Sequence, residues 1–136
     1  MSEAADLFRA GLERLAGGDL AGYLDLCSED VEFEFPFAPP GRPGWVRGRE
    51  DLRRYLEPLL ARAAYDAITS LVIYETDVAG TIVAEMTIAV RLLDSGRTRS
   101  MRYVGVARSA GGRIVSYRDY WNPLASSDRA GSAETS

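Results

Sequence analysis

Residues 81–121 read TIVAEMTIAVRLLDSGRTRSMRYVGVARSAGGRIVSYRDYW, and this run decides the fold. Ile82, Ala84, Met86, Ile88 and Val90 alternate with Glu85, Thr87 and Arg91, the period of two that puts apolar and polar side chains on opposite faces of a strand. The glycine-bearing stretches LDSGR (93–97) and SAGGR (109–113) punctuate the run, so it predicts three antiparallel strands joined by hairpins. On the second strand Met101 and Tyr103 share a face opposite Arg102. On the third, Val115, Tyr117, Asp119 and Trp121 share one face and Ile114, Ser116, Arg118 and Tyr120 the other. The first set is the more apolar and is predicted to point inward, which carries Asp119 in with it.

Upstream, a strand is expected over about Asp66 to Thr76. Before it, Leu52, Tyr55, Leu56, Leu59, Leu60 and Ala63 recur on one helical face, with Pro58 expected to kink that helix. APPGRPGWVRG (38–48) reads as a loop. DVEFEFPFAPP (30–40) places Val31, Phe33, Phe35 and Phe37 on one side of a strand and Glu32, Glu34 and Pro36 on the other. At the start, Phe8, Leu12 and Leu15 mark a helix that Ser2 can cap and Gly17-Gly18 can end. Asp19 can cap a second helix to about Ser28, which would carry Cys27 on its buried side. The order is helix, helix, strand, helix and four strands. It implies an α+β fold in which a curved, mostly antiparallel sheet wraps three N-terminal helices. Residues 1–124 are expected to form one domain, and 125–136 have too little to bury and read as a disordered tail.

Composition narrows the chemistry. Net charge is −4 and all 16 basic residues are arginines, which argues against general nucleic-acid binding and removes lysine Schiff-base chemistry. There is no histidine, and Cys27 is the lone cysteine, so intrachain disulfides, Cys/His zinc sites and His-dependent nucleophiles are excluded. No apolar run approaches the roughly 20 residues of a membrane helix. The acidic N-terminus does not resemble a secretory signal, and a cytoplasmic address is expected. No cofactor or metal is called for. Carboxylates, tyrosines and arginines remain to do chemistry.

Alternation puts Asp119 in a cavity with Phe33, Phe35, Met86, Ile88, Met101 and Tyr103. A lone ionised carboxylate there costs several kcal/mol, so it is either hydrogen-bonded or partly neutral with a raised pKa. The residues alone leave both readings standing: a structural acceptor, or a poised acid/base group. Tyr103 and Tyr55 are the candidate phenols to oppose it as oxyanion donors. Tyr117, Trp121 and Leu59 would contact a flat apolar substrate, and Trp45 in the loop is a candidate lid. Arg97, Arg99 and Arg102 read as a solvated face, or as a mouth that attracts an acidic or carrier-tethered substrate. The outward sheet face, with Thr87, Ala89, Val104 and Val106, suggests a homodimer.

The element order, FEFPFAPPG…GRED and the closing IVSYRDYWNP together resemble the nuclear-transport-factor-2-like superfamily, and within it the SnoaL-like polyketide cyclases and the ketosteroid-isomerase-like branch. The resemblance covers residues 3–124 and implies a cone with a deep apolar pocket. It also implies that Asp119, in the matching RDY, is the acid/base residue. The arginine and second aspartate of limonene-epoxide hydrolases match Met86 and Ile88 here. Their water-orienting tyrosine and asparagine match Phe33 and Phe35, so epoxide hydrolysis by that route is disfavoured. The histidine of phenazine-biosynthesis proteins matches Tyr55. The expectation is therefore a cofactor-independent cyclase or isomerase acting on a hydrophobic carbonyl compound in natural-product biosynthesis. The alternatives are a non-catalytic binder of such a molecule and a protein–protein module.

Overall fold

The computed structural model describes residues 2–124, and the expected C-terminal tail lies outside the described residues. Helix α1 (Glu3–Ala16) begins where the Ser2 side chain accepts from the Ala5 N–H at 3.1 Å and ends on Gly17. The neighbouring Gly18 takes a φ of 75° that a side chain would disfavour. Asp19 caps α2 (Leu20–Asp25) by accepting from the Gly22 N–H at 2.9 Å.

α2 is shorter than its pattern suggests. Cys27 is buried as expected, but as the first residue of strand β1 (Cys27–Glu34). Its backbone is claimed by the far end of the chain, because the preceding Leu26 carbonyl accepts from the Ile114 N–H at 2.8 Å. Val31, Phe33 and Phe35 are buried, whereas Phe37 is 55% exposed. β1 stops at Glu34 and the chain turns through Pro36, so the alternation is not carried on to Phe37. The proline- and glycine-rich loop contains a further short strand, β2 (Trp45–Arg47), antiparallel to β1.

Helix α3 (Arg49–Arg62) continues past Pro58, which is exposed, so the backbone hydrogen bond that proline removes is lost on the solvent side. Ala63 belongs to the next strand, β3 (Ala63–Glu75), followed by β4 (Thr81–Leu92), β5 (Thr98–Ala110) and β6 (Arg113–Trp121). The six strands form one mixed sheet in the order β2-β1-β6-β5-β4-β3. All neighbours are antiparallel except β1 and β6, which run parallel. The architecture is α+β, as the element order predicts.

Curvature comes from register shifts. β3 carries two against β4, between Tyr65 and Ala67 and between Ile68 and Ser70. They allow Tyr65, Ile68, Leu71 and Ile73, which do not follow a strict period of two, to share the inner face while the strand bends. Another lies where Ser109 pairs with Ile114 and Arg108 with Ser116, leaving Val115 unpaired. That bulge corrects the predicted start of the last strand: Ile114 is buried and Val115 is not the inward residue. From Tyr117 onward the predicted alternation holds. α1 packs across β3 to β6, and α3 packs on β1, β2 and β3. Among the described residues no helix is long and apolar enough to cross a membrane.

Candidate active site

Between the helices and the sheet lies a cavity of about 390 Å³. Its lining includes Asp119, Tyr103, Tyr55, Tyr117, Trp121, Phe33, Phe35, Met86, Ile88, Met101 and Leu59. Every predicted site residue but one is therefore brought together. The exception is Trp45, which is 53% exposed on β2 and does not line the cavity. β2 pairs Trp45 with Glu34 on β1, and both side chains are exposed.

Strand register explains why there is space in front of Asp119. Its partner across the ladder is Gly105 on β5, whose own partner on β4 is Ala84. On the β5 side the row of the carboxyl thus carries nothing larger than a methyl group, while β1, the strand on its other side, sets Phe33 against Tyr117. The rows on either side are bulkier: Trp121, Tyr103 and Met86 follow one another on one side, and Tyr117 stands on the other. Tyr117 leans diagonally over Gly105, where a Cβ would come within 2.2 Å of the phenol oxygen. Gly105 is a requirement of the site that sequence reading missed, because only the tertiary register shows what a side chain there would strike.

Aromatic packing holds the walls. Phe33 lies against Tyr117 with ring centroids 5.2 Å apart and meets Tyr23 edge-on at 6.4 Å. Phe35 stacks on Tyr55 at 4.7 Å and meets Trp121 edge-on at 6.1 Å. Tyr23 fits beneath α1 only because Gly11 has no side chain, since a Cβ would sit 2.9 Å from its ring. Tyr55 accepts a hydrogen bond from Arg42 Nη2 at 3.4 Å, which places this phenol toward solvent.

The electrostatics centre on one group. Asp119 Oδ1 is buried and has no hydrogen-bond partner within the protein. Desolvation pushes the carboxyl up from 3.8 to about 7. Four phenols surround it. Burial, then the Asp119 and Tyr55 charges, raises Tyr65 to about 12. Tyr103 rises through burial, Tyr65 and then Asp119, with a smaller contribution from Tyr55. Burial likewise raises Tyr117 and Tyr23 well above the ordinary phenol value. A carboxyl that can exchange its proton near neutrality therefore faces phenols that remain protonated donors. Acid/base chemistry in one pocket requires such a separation between the group that exchanges a proton and the groups that donate hydrogen bonds.

Tyr65 is the second residue that sequence reading missed. The expected helix through Ala63 and strand from Asp66 left it between elements, yet β3 begins at Ala63 and pairs Tyr65 with Val90. Among the described residues, no group of three or more carboxylate, thiol or imidazole side chains could hold a metal ion.

Comparison with known proteins agrees with this geometry. A family model described as a SnoaL-like domain matches residues 8–117. An uncharacterized PhzA/B-like protein of Pseudomonas aeruginosa is 32% identical over 135 residues, covering 96% of this chain and 92% of its own. A Bacillus subtilis crystal structure named as a candidate isomerase is 29% identical with a TM-score of 0.85, covering 91% of each chain. A Mycobacterium tuberculosis protein crystallised with estradiol-17β-hemisuccinate shares the fold at 21% identity, with a TM-score of 0.75 over 90% of this chain and 95% of that one.

Proposed function

Because the chain belongs to the SnoaL-like domain family, we propose that it is a cofactor-independent cyclase or isomerase in which Asp119 moves a proton on a hydrophobic carbonyl compound. The observation that carries the proposal is the unpartnered Oδ1 of Asp119, buried at an open cavity beside Gly105. A structural aspartate would be expected to have a donor.

The ionised carboxylate takes a proton from the carbon next to the substrate carbonyl, and the C–H electron pair moves to give an enolate. Tyr103 and Tyr65 stay protonated and donate to the enolate oxygen. Tyr103 is the better placed of the two candidate tyrosines, because the hydroxyl of Tyr55 is engaged by Arg42. Return of the proton from Asp119 to a different carbon gives an isomer. Attack of the enolate carbon on a second carbonyl of the same molecule closes a ring, and Asp119 protonates the new alkoxide. Natural-product metabolism in the cytoplasm is the setting this chemistry suggests. Two copies would pair through the outer sheet face around Val104, which is exposed.

One observation favours a second reading, a binding module without turnover: Asp119 is the only acidic residue in the cavity lining. The two readings separate in one experiment, in which Asp119→Asn is assayed beside the native protein. An enzyme loses turnover by about 10²–10⁴-fold while retaining ligand affinity. Its kcat/KM also rises with pH through about 7 in the native protein. A binder returns its ligand chemically unchanged in both forms, and that result overturns the catalytic reading.

A further inference from the structure

The cavity has a polarity that its apolar lining conceals. Of the residues that line it, Arg42 and Arg62 are the only exposed ones, so they mark the mouth. Arg99 joins them from the sheet side, on the face of β5 that also carries Met101 and Tyr103, and it pairs across the ladder with Val90. Arg62 closes α3 one residue before β3, and its carbonyl accepts from the Leu93 N–H at 2.8 Å. It therefore stands beside the β4–β5 hairpin from which Arg99 emerges.

Three arginines thus line a pocket in a chain whose net charge is −4, two of them exposed at its mouth. The sole acid of the lining, Asp119, lies farther along the sheet than Arg99. Gly105, its partner, is six residues from Arg99, or about 20 Å along an extended strand. Among the described residues neither Arg42 nor Arg62 forms an ion pair, although all six salt bridges there use arginines of the same helix or sheet. Arg42 contacts only a neutral phenol, Tyr55.

We propose that the substrate is an amphipathic anion: an apolar carbonyl-bearing body fills the cavity down to Asp119, and a carboxylate or phosphate group remains at the mouth with Arg42 and Arg62. The inference rests on the pocket being the substrate site, as proposed above. Guanidinium groups suit either oxyanion, because their forked N–H donors match carboxylate and phosphate oxygens alike. The arrangement also orients the ligand. The end that the arginines hold cannot be the end that reacts, and an anion driven inward would meet the carboxyl of Asp119.

The test uses three probes with one apolar body: 2-naphthylacetate, 2-naphthyl phosphate and the neutral methyl 2-naphthylacetate. Their affinities are measured by calorimetry at low salt for the native protein and for the Arg42→Gln/Arg62→Gln variant. Both substitutions are at exposed positions, and an unchanged denaturation midpoint verifies the fold. At least one anion is expected to bind the native protein about tenfold more tightly than the ester. The variant should lose that preference while its affinity for the ester is unchanged, and high salt should reduce it in the native protein. Whichever anion binds more tightly identifies the head group. Equal affinity for ester and anions, or a preference that survives the substitutions, overturns the anionic-substrate inference and leaves the proposed function standing. Failure of all three probes to bind overturns the pocket as the substrate site, and the inference with it.

Discussion

Replacing Asp119 with asparagine should make the protein more stable relative to native as pH rises. The side chains are nearly isosteric, so the substitution removes a titration and little else. Burial moves the carboxyl from 3.8 to about 7. A carboxyl moved that far corresponds to about 4 kcal/mol of differential stability. At pH below 4 the group is protonated in both the folded and the unfolded chain, and pH has no leverage on it. Between about 4 and 7 the folded state retains a proton that the unfolded state has released. The stability of the native protein therefore falls across that window and levels off above it.

Every other titrating group is common to both proteins, so the difference between their stabilities isolates this one. Urea unfolding at a series of pH values measures it. Asparagine is expected to gain about 4 kcal/mol on aspartate between pH 4 and 8, a relative midpoint change of about 2 M for a slope near 2 kcal/mol/M. A stability difference that stays flat across the window would mean that the carboxyl is satisfied, and the reasoning about an unpartnered Oδ1 would fail. A difference of the opposite sign would mean that a buried cation holds it.

Gly105→Ala should destabilise the protein by about 1–3 kcal/mol, because the new methyl would occupy the place of the Tyr117 hydroxyl; thermal unfolding reads this, and a neutral result would mean Tyr117 can move aside freely. Cys27 is buried and its thiol is pushed up to about 12, first by desolvation. It should resist a thiol-specific reagent at pH 8 in the folded protein and react at once in urea; rapid native labelling would contradict the closed α2–β1 junction.

The parts of the fold governed by local periodicity were legible. In β4 every second residue from Ile82 to Val90 is buried, as the alternation alone indicates. The inward turn of Asp119 follows from the same rule. What was not legible depends on partners distant in sequence. β2 has three residues, too few to show a period, and exists because β1 pairs with it. The bulges of β3 and β6 insert residues whose only signature is a mismatch with the opposite strand. Val115 is misplaced by the second of them, and Tyr65 falls in the gap between an expected helix and an expected strand that β3 in fact fills. Phe37 misled in the opposite way, since its spacing fits a strand that has already ended. The missing hydrogen bond of Asp119 could not be read at all, because it is a property of what Gly105 and Ala84 fail to supply.

The parallel pairing of β1 with β6 has a consequence for how the molecule is assembled. It joins Cys27 to Ile114, and the Arg113 guanidinium donates to the Asp25 carbonyl at 2.8 Å across a separation of 88 residues. The helices and the β3–β4–β5 meander can form from near neighbours. β1 has only the three residues of β2 to pair with until β6 has been made. Closing so long a loop has an entropic cost, which places this step late in folding. Phe33 and Tyr117 meet across that last seam, so the floor beneath Asp119 is completed when the chain closes on itself. A nascent chain still lacking β6 has hydrophobic walls but no pocket.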